Sequence, residues 1–404
     1  MKQKIFGIII NFNTLRHYIH SNSLLLKKIS KRFEEFYLID SRKLELNLFN
    51  SNNKILRWDI DSIIEENEDE LFQELPKNFK VIKPLNGEHF KRLFDDKILL
   101  LINSIGKTFS EFYLHYLLSS KNIKQVIISN IANNETTIKT KNFKSKIIFY
   151  LGKILPSKII SFLRMINFYS KINIRFECNK KLLELFKKSK IKVSYQKIIG
   201  VNNRSFDEFK LSKLEISNDY IVLLDTNLNH KEDIIIRGKV NLDDELQHYE
   251  NLNKLLEKLE ALYEKEVIIC IHPQYDLEKT KKYFPKYKVF KFKTREMIYK
   301  AHLVLFFDTT AIMDAYFLNK KIISLKTKVN MSTDFTRYNK EFGTPLIDIN
   351  KEFDFNKKNL DEDLLKASSS QNFFLKTYVQ IDGENIGIDK ILNECQNLVE
   401  KTNI

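Results

Sequence analysis

Two short polar clusters carry most of the chemistry legible in this chain: His272-Pro273 and Asp308-Thr309-Thr310-Ala311. Each follows an apolar run, Val267–Ile271 and Leu303–Phe307 respectively. His272 can donate a hydrogen bond to a phosphate oxygen and carry positive charge when its pKa is raised. Pro273 lacks an N–H and stiffens the turn beside it. Asp308, Thr309 and Thr310 are helix-capping types, and the sequence from Ala311 onward reads as a helix. The backbone N–H groups at a helix start attract an anion, and threonine hydroxyls add donors. Taken singly, His272 reads equally well as a turn residue and Asp308 as an ordinary cap. Their ordered pairing across one strand–helix–strand unit is what favours an anion site.

The elements that position these clusters alternate short β-branched runs with helical patterns, the signature of a parallel sheet. Ligands of such sheets sit outside the carboxyl ends of the strands, where both clusters fall. Tyr287–Phe290 and Lys321–Leu325 are further predicted strands, with helices from Thr294 and from Ala311. Tyr220–Asp225 opens this half of the chain, and 242–264 is a charge-rich helical stretch.

The block running from "IHP" through "KT.EMI.KAHLVLFFDTTAIMDA…NKKIISL" resembles the C-terminal half of GT-B glycosyltransferases. More narrowly, it is similar to bacterial surface-polysaccharide enzymes, the sialyl-, Kdo- and glycerophosphate transferases that use cytidine-nucleotide donors. The likeness covers roughly 220–345 and includes the polar loop Leu223–Asp233. In those families the HP histidine and a Ser/Thr turn bind donor phosphates, which maps onto His272, Thr309 and Thr310. Asp-Thr-Thr stands where a Ser-Ser pair is common, and Asn319-Lys320-Lys321 where Gly-Lys-Pro is usual. The resemblance implies an α/β, GT-B-like fold with two Rossmann-like parallel-sheet domains facing a cleft. It further implies His230, Lys231 and Asp233 at the pocket edge, Lys293 and Thr294 near the nucleobase or phosphate, and Asp314 accepting from the donor ribose. Asp314 reads equally well as a solvated helix acid.

At 404 residues the chain is long enough for two cores. The predicted division is 1–205, an acceptor-side domain, and 215–404, the donor domain with the terminal helices. By analogy with GT-B folds, the last helix would cross back to the first domain. Lys4–Asn11, Phe36–Asp40, Lys97–Asn103 and Gln125–Ser129 give the first domain at least four parallel strands. Ile174–Cys178 and Val193–Gly200 are two more candidates, and 201–217 reads as linker. The first strand lacks a following Gly-x-Gly-x-x-Gly, so a dinucleotide site there is unsupported. Gly106-Lys107-Thr108 resembles a P-loop ending, but Leu101 stands where the upstream glycine belongs.

The formal charge is +15, and the abundance of Lys, Asn, Ile and Phe is what an AT-biased genome produces. The remaining basicity suits a sugar nucleotide, an acidic polymer or anionic lipid. Nucleic acid is not indicated, since no helix-turn-helix, zinc-finger or RNA-binding pattern is found. Three scattered cysteines and no signal-peptide pattern predict a reducing, cytoplasmic location. Residues 141–171 hold two basic apolar segments meeting at Pro156 without an acid. They read as an amphipathic pair peripheral to an anionic membrane at its inner face, or as core helices whose lysines snorkel.

The resemblance implies glycosyl transfer from a nucleotide-activated sugar, a CMP-sugar first, to a glycan or lipid-linked acceptor of the cell surface. No acidic metal cluster is apparent, so no metal or other cofactor is expected. His17, His20 and Glu111 are the candidates for the acceptor-activating base. A nucleotide-sugar 2-epimerase would share the architecture but want further paired carboxylates. The same fold would also serve a CDP-polyol phosphotransferase or a non-catalytic polysaccharide-assembly protein.

Overall fold

In the computed structural model the chain forms two units, Met1–Asn130 with Lys146–Arg204 and Ile381–Ile404, and Ser205–Gln380 with Ile131–Ser145. The structure describes residues 5–10, 22–33, 35–41, 75–95, 98–104, 112–121, 123–129, 150–188, 195–225, 240–272, 275–307, 311–329 and 343–400, with a few single residues between.

The first unit holds β1 (Ile5–Ile10), α1 (Ser23–Arg32), β2 (Glu35–Asp40), β3 (Phe79–Ile82), α2 (Gly87–Arg92), β4 (Ile98–Ile102) and α3 (Phe112–Ser119). It continues with β5 (Lys124–Ile128), a π-turn at Tyr150–Ile154, α4 (Leu155–Met165), β6 (Ile172–Glu177), α5 (Lys180–Lys188) and β7 (Tyr195–Gly200). These seven strands order as β3-β2-β1-β4-β5-β6-β7, every pairing parallel. β3 lies in a stretch where no strand was predicted. Of the predicted pair at 141–171, residues 141–149 lie outside the described residues; in the rest, Pro156 does not separate two helices. It occupies the first turn of α4, where its missing N–H costs nothing, and the π-turn runs straight into it.

The second unit comprises α6 (Arg204–Leu211), β8 (Tyr220–Asp225), α7 (Leu242–Tyr263), β9 (Val267–Ile271), α8 (Leu277–Tyr283) and β10 (Lys288–Lys291). It is completed by α9 (Thr294–Lys300), β11 (Ala301–Phe306), α10 (Ile312–Phe317), β12 (Lys321–Lys326), β13 (Leu346–Asp348) and α11 (Lys357–Tyr378). Its strands order as β10-β9-β8-β11-β12-β13, again all parallel. A parallel sheet is covered on both faces, so its strands are apolar throughout rather than alternating. Alternate residues feed two cores. Ile221, Leu223, Leu303 and Leu305 pack against α7, and Val222, Leu224, Val304 and Phe306 against α9 and α10. The Asn241 side chain caps α7 by accepting from Asp244 N–H at 2.7 Å.

Two boundaries depart from the predicted division. The 201–217 stretch is not simply linker, because Phe206 and Phe209 of α6 pack against Phe317 of the second unit. The terminal helix, α12 (Gly387–Glu400), lies in the first unit, which the GT-B analogy led one to expect and the 215–404 boundary did not. Ile388, Ile391, Leu392, Cys395 and Val399 form one apolar stripe buried with Leu25, Leu26 and Ile29 of α1. Asp389 takes Lys28 at 2.5 Å and Arg32 at 2.9 Å. Asn202 donates to the carbonyls of Gly383 and Asn385 at 2.7 and 2.8 Å, holding the return in place. Gly387 sits so close that an added Cβ would lie 2.6 Å from the Asn202 carbonyl oxygen.

Candidate functional site

The second sheet has a topological switch at β8: the chain proceeds to β9 and β10 on one side, then to β11, β12 and β13 on the other. Such a switch opens a crevice at the carboxyl edge. Register puts Asp225 level with Ile271, and Leu224 level with Phe306. His272 and the described residues after β11, Phe307, Thr309 and Ala311, therefore leave the same edge on opposite sides of β8. Two strand spacings separate them, about 10 Å.

The turn that carries His272 is anchored through Tyr275. Tyr275 N–H donates to the His272 carbonyl at 2.9 Å. The Tyr275 hydroxyl accepts from Leu228 N–H at 2.9 Å, in the loop after β8, and bonds the Tyr249 hydroxyl of α7 at 3.0 Å. Lys291, at the end of β10, donates to the Tyr275 carbonyl at 2.8 Å. Three elements thus fix one turn. Burial, and then the charge of Asp225, push the Tyr275 phenol well above its ordinary pKa and keep it a neutral hydrogen-bonding group. Asp225 itself is buried at the end of β8. Tyr275→Phe removes the acceptor for Leu228 N–H and should lower stability by about 1–2 kcal/mol. Urea denaturation measures this, and an unchanged midpoint would mean the turn is held by other contacts.

On the other side of β8, Thr309 is half-buried and its Oγ1 accepts from Ala311 N–H at 3.3 Å. An accepting hydroxyl keeps its own proton to donate. The helix that follows, α10, is short and packs its buried Ile312, Met313 and Tyr316 under the sheet. Asp314 is neither solvated nor offered outward. It is buried and receives Arg295 Nε of α9 at 3.1 Å, while Glu208 of α6 pairs with the same guanidinium. Burial disfavours the charge on Arg295, but the two carboxylates overcome this and raise its pKa.

Lys293 and Thr294 reach the same edge, one strand further out, where they follow β10. Lys293 is exposed with its amine 5.6 Å from the Phe290 ring centre, and Thr294 begins α9. Pro273, Asp308, Thr310, His230, Lys231 and Asp233 lie outside the described residues, as do His17, His20 and Glu111. The structure thus brings His272, Thr309, Ala311, Lys293 and Thr294 to one sheet edge. Reading the sequence missed Tyr249, Tyr275, Lys291 and Arg295, and had Asp225 only as part of the polar loop Leu223–Asp233. Only Asp225 carried a signal, as the polar residue closing the strand YIVLLD.

Behind this edge His248 of α7 is buried, its Nδ1 3.0 Å from Thr327 Oγ1. Burial pushes its pKa down to about 3, so the imidazole is a neutral core group.

No protein-family model and no curated protein matches the sequence. Solved structures do resemble it. MnaA of S. aureus, in a co-structure with UDP, aligns with a TM-score of 0.55 at 13% identity, over 98% of this chain and 97% of its own. The wall teichoic acid polymerase TagF aligns with a TM-score of 0.54 at 8% identity, over 99% of this chain and 89% of its own. UDP-GlcNAc 2-epimerase of Methanocaldococcus jannaschii gives a TM-score of 0.51 at 14% identity, over 98% of this chain and 99% of its own. The fold is GT-B-like. It consists of two Rossmann-like units, each built on a parallel sheet. At these identities the likeness assigns no role to any residue.

Proposed function

We propose that the chain is a GT-B-type transferase that takes a sugar from a nucleotide-activated donor, a CMP-sugar first, and delivers it to a surface glycan or lipid-linked acceptor. The observation that supports this reading is the placement of His272 after β9 and of Thr309 and Ala311 after β11, flanking β8 at the switch point of the second sheet. A donor phosphate lying over β8 would meet His272 on one side and the Thr309 hydroxyl, which still has its own proton to donate, on the other. As the bond from the sugar carbon to the phosphate oxygen breaks, charge builds on that oxygen. Donors already in place stabilise it without reorganising. The acceptor hydroxyl forms the new bond and gives its proton to a base, for which His17, His20 and Glu111 remain the proposed groups. A polyol phosphate from a CDP donor would use the same phosphate site.

A second reading has its own support, since UDP-GlcNAc 2-epimerase aligns over nearly the whole chain. The two readings separate on products. An epimerase alters UDP-GlcNAc when incubated with it alone, whereas a transferase needs an acceptor.

Melting curves with and without CMP, CDP and UDP test the shared premise. A ligand that binds only the folded state at a hundred times its Kd adds about 2.7 kcal/mol, which raises Tm by several degrees. CMP or CDP should give the larger shift. No shift with any of the three would reject the nucleotide site and leave a scaffold of the same fold.

A further inference from the structure

In the first unit α4 is turned inside out relative to an ordinary surface helix. Its arginine, Arg164, is only 1% exposed and faces His115 of α3, with Nη2 3.2 Å from Nδ1. Its large apolar side chains face outward: Phe162 is 53% exposed, Met165 45%, Ile166 52%, and Phe168 just beyond the helix 59%. Spacing explains the arrangement. Ile160 and Arg164 lie four apart on the buried face, whereas 158, 162, 165 and 166 make the stripe on the opposite one. Lys158 is exposed at the head of that stripe, its amine 5.8 Å from the ring centre of half-exposed Tyr150.

This exposure is not the fraying of a helix end. Asn167 adopts the left-handed conformation, φ 61°, and the N–H groups of Phe168 and Tyr169 return to the Leu163 carbonyl at 2.9 and 3.1 Å. Tyr169 then turns inward and donates to the Phe112 carbonyl at 3.1 Å, and Ser170 N–H donates to Ser119 Oγ at 2.9 Å. The apolar stripe is held outward by a fixed backbone. Water disfavours such a continuous patch, and a bound surface is its usual explanation.

Charge selects the occupant. Between Thr136 and Phe176 the sequence has no Asp or Glu and, apart from the buried Arg164 and the Arg175 paired with Glu177, seven lysines. A second copy of the chain would bring the same positive stretch against itself, and the pair would repel. An anionic bilayer attracts it and also accepts apolar side chains at the boundary between headgroups and acyl chains. We propose that this face seats the first unit on an anionic lipid surface, with Phe162, Met165, Ile166 and Phe168 entering the boundary and Lys158 among the headgroups. No described helix is long and apolar enough to cross a bilayer, so the contact is peripheral. The inference does not rest on the proposed transferase reaction.

Sedimentation of the full chain with vesicles tests it, using phosphatidylcholine alone and with phosphatidylglycerol added. Binding should require phosphatidylglycerol and weaken with salt. The triple variant Phe162→Ser, Met165→Ser, Ile166→Ser should bind about tenfold or more weakly, since it removes the inserted apolar area. Its melting temperature and nucleotide response should stay those of the wild type. If the triple variant fails to fold, Phe168→Ser, beyond the helix, should still weaken binding several-fold. Wild-type failure to bind either vesicle overturns the proposal, as does unchanged binding by a folded variant. A wild-type dimer that the triple variant dissociates would assign the face to a second copy and overturn it equally.

Discussion

Replacing Arg295 with methionine should lower the stability of the second unit by about 2–4 kcal/mol, somewhat less than the ~3–5 of a fully buried ion pair broken on one side. The guanidinium bridges Asp314 of α10 and Glu208 of α6, and both carboxylates are largely buried. Methionine keeps most of the volume and removes the charge that pairs with both, so two acids lose that partner in a low-dielectric setting. The discount reflects the partial exposure of the Arg295 side chain itself. Denaturant titration is the measurement, with a separate transition resolved for each unit if they unfold independently. Adding Asp314→Leu to the variant should recover part of the loss, because one of the stranded charges is gone. Because α10 follows directly on Ala311 and Thr309, nucleotide affinity should fall along with stability. A change below about 0.5 kcal/mol, the level of an ordinary surface substitution, would show the network to be ornamental.

His272→Ala should produce the opposite pattern, a large loss of affinity on an intact fold. A hydrogen bond to a charged group is worth about 1.5–3 kcal/mol, so nucleotide Kd should rise by roughly 10- to 150-fold. The fold should survive because the turn is held through the His272 carbonyl, which accepts from Tyr275 N–H, and alanine has the same carbonyl. Calorimetric titration with CMP, CDP and UDP gives the affinity, and a melting curve without nucleotide gives the fold. Unchanged affinity would reduce His272 to a turn residue. Loss of both affinity and stability would mean that its ring packs as well as binds.

The sequence by itself determined most strands of both sheets, β3 excepted. Runs such as YIVLLD, VIICI and AHLVLF are short, apolar and β-branched, and they alternate with helical stretches; all three became neighbouring parallel strands. Such patterns are local, arising from side-chain spacing along one segment, so they can be read without knowing the partners. The same reasoning put His272 and Thr309 at strand ends, and the parallel order carried them to one edge. Pairing across long separations was decided only by the tertiary structure. The stripe on α12 announces that it must be buried, but nothing in it names α1 as the partner rather than a helix of the nearer unit. Arg295, Asp314 and Glu208 lie on three helices whose packing sets the ion pairs, and each alone reads as a solvated charge. Tyr275 looks like any loop tyrosine until Leu228 and Tyr249 close on its hydroxyl. In α4 the spacing of charged and apolar residues allows either face to turn inward. The choice of Arg164 over Phe162 was made by His115 and the inward turn at Tyr169, contacts that only the folded first unit supplies.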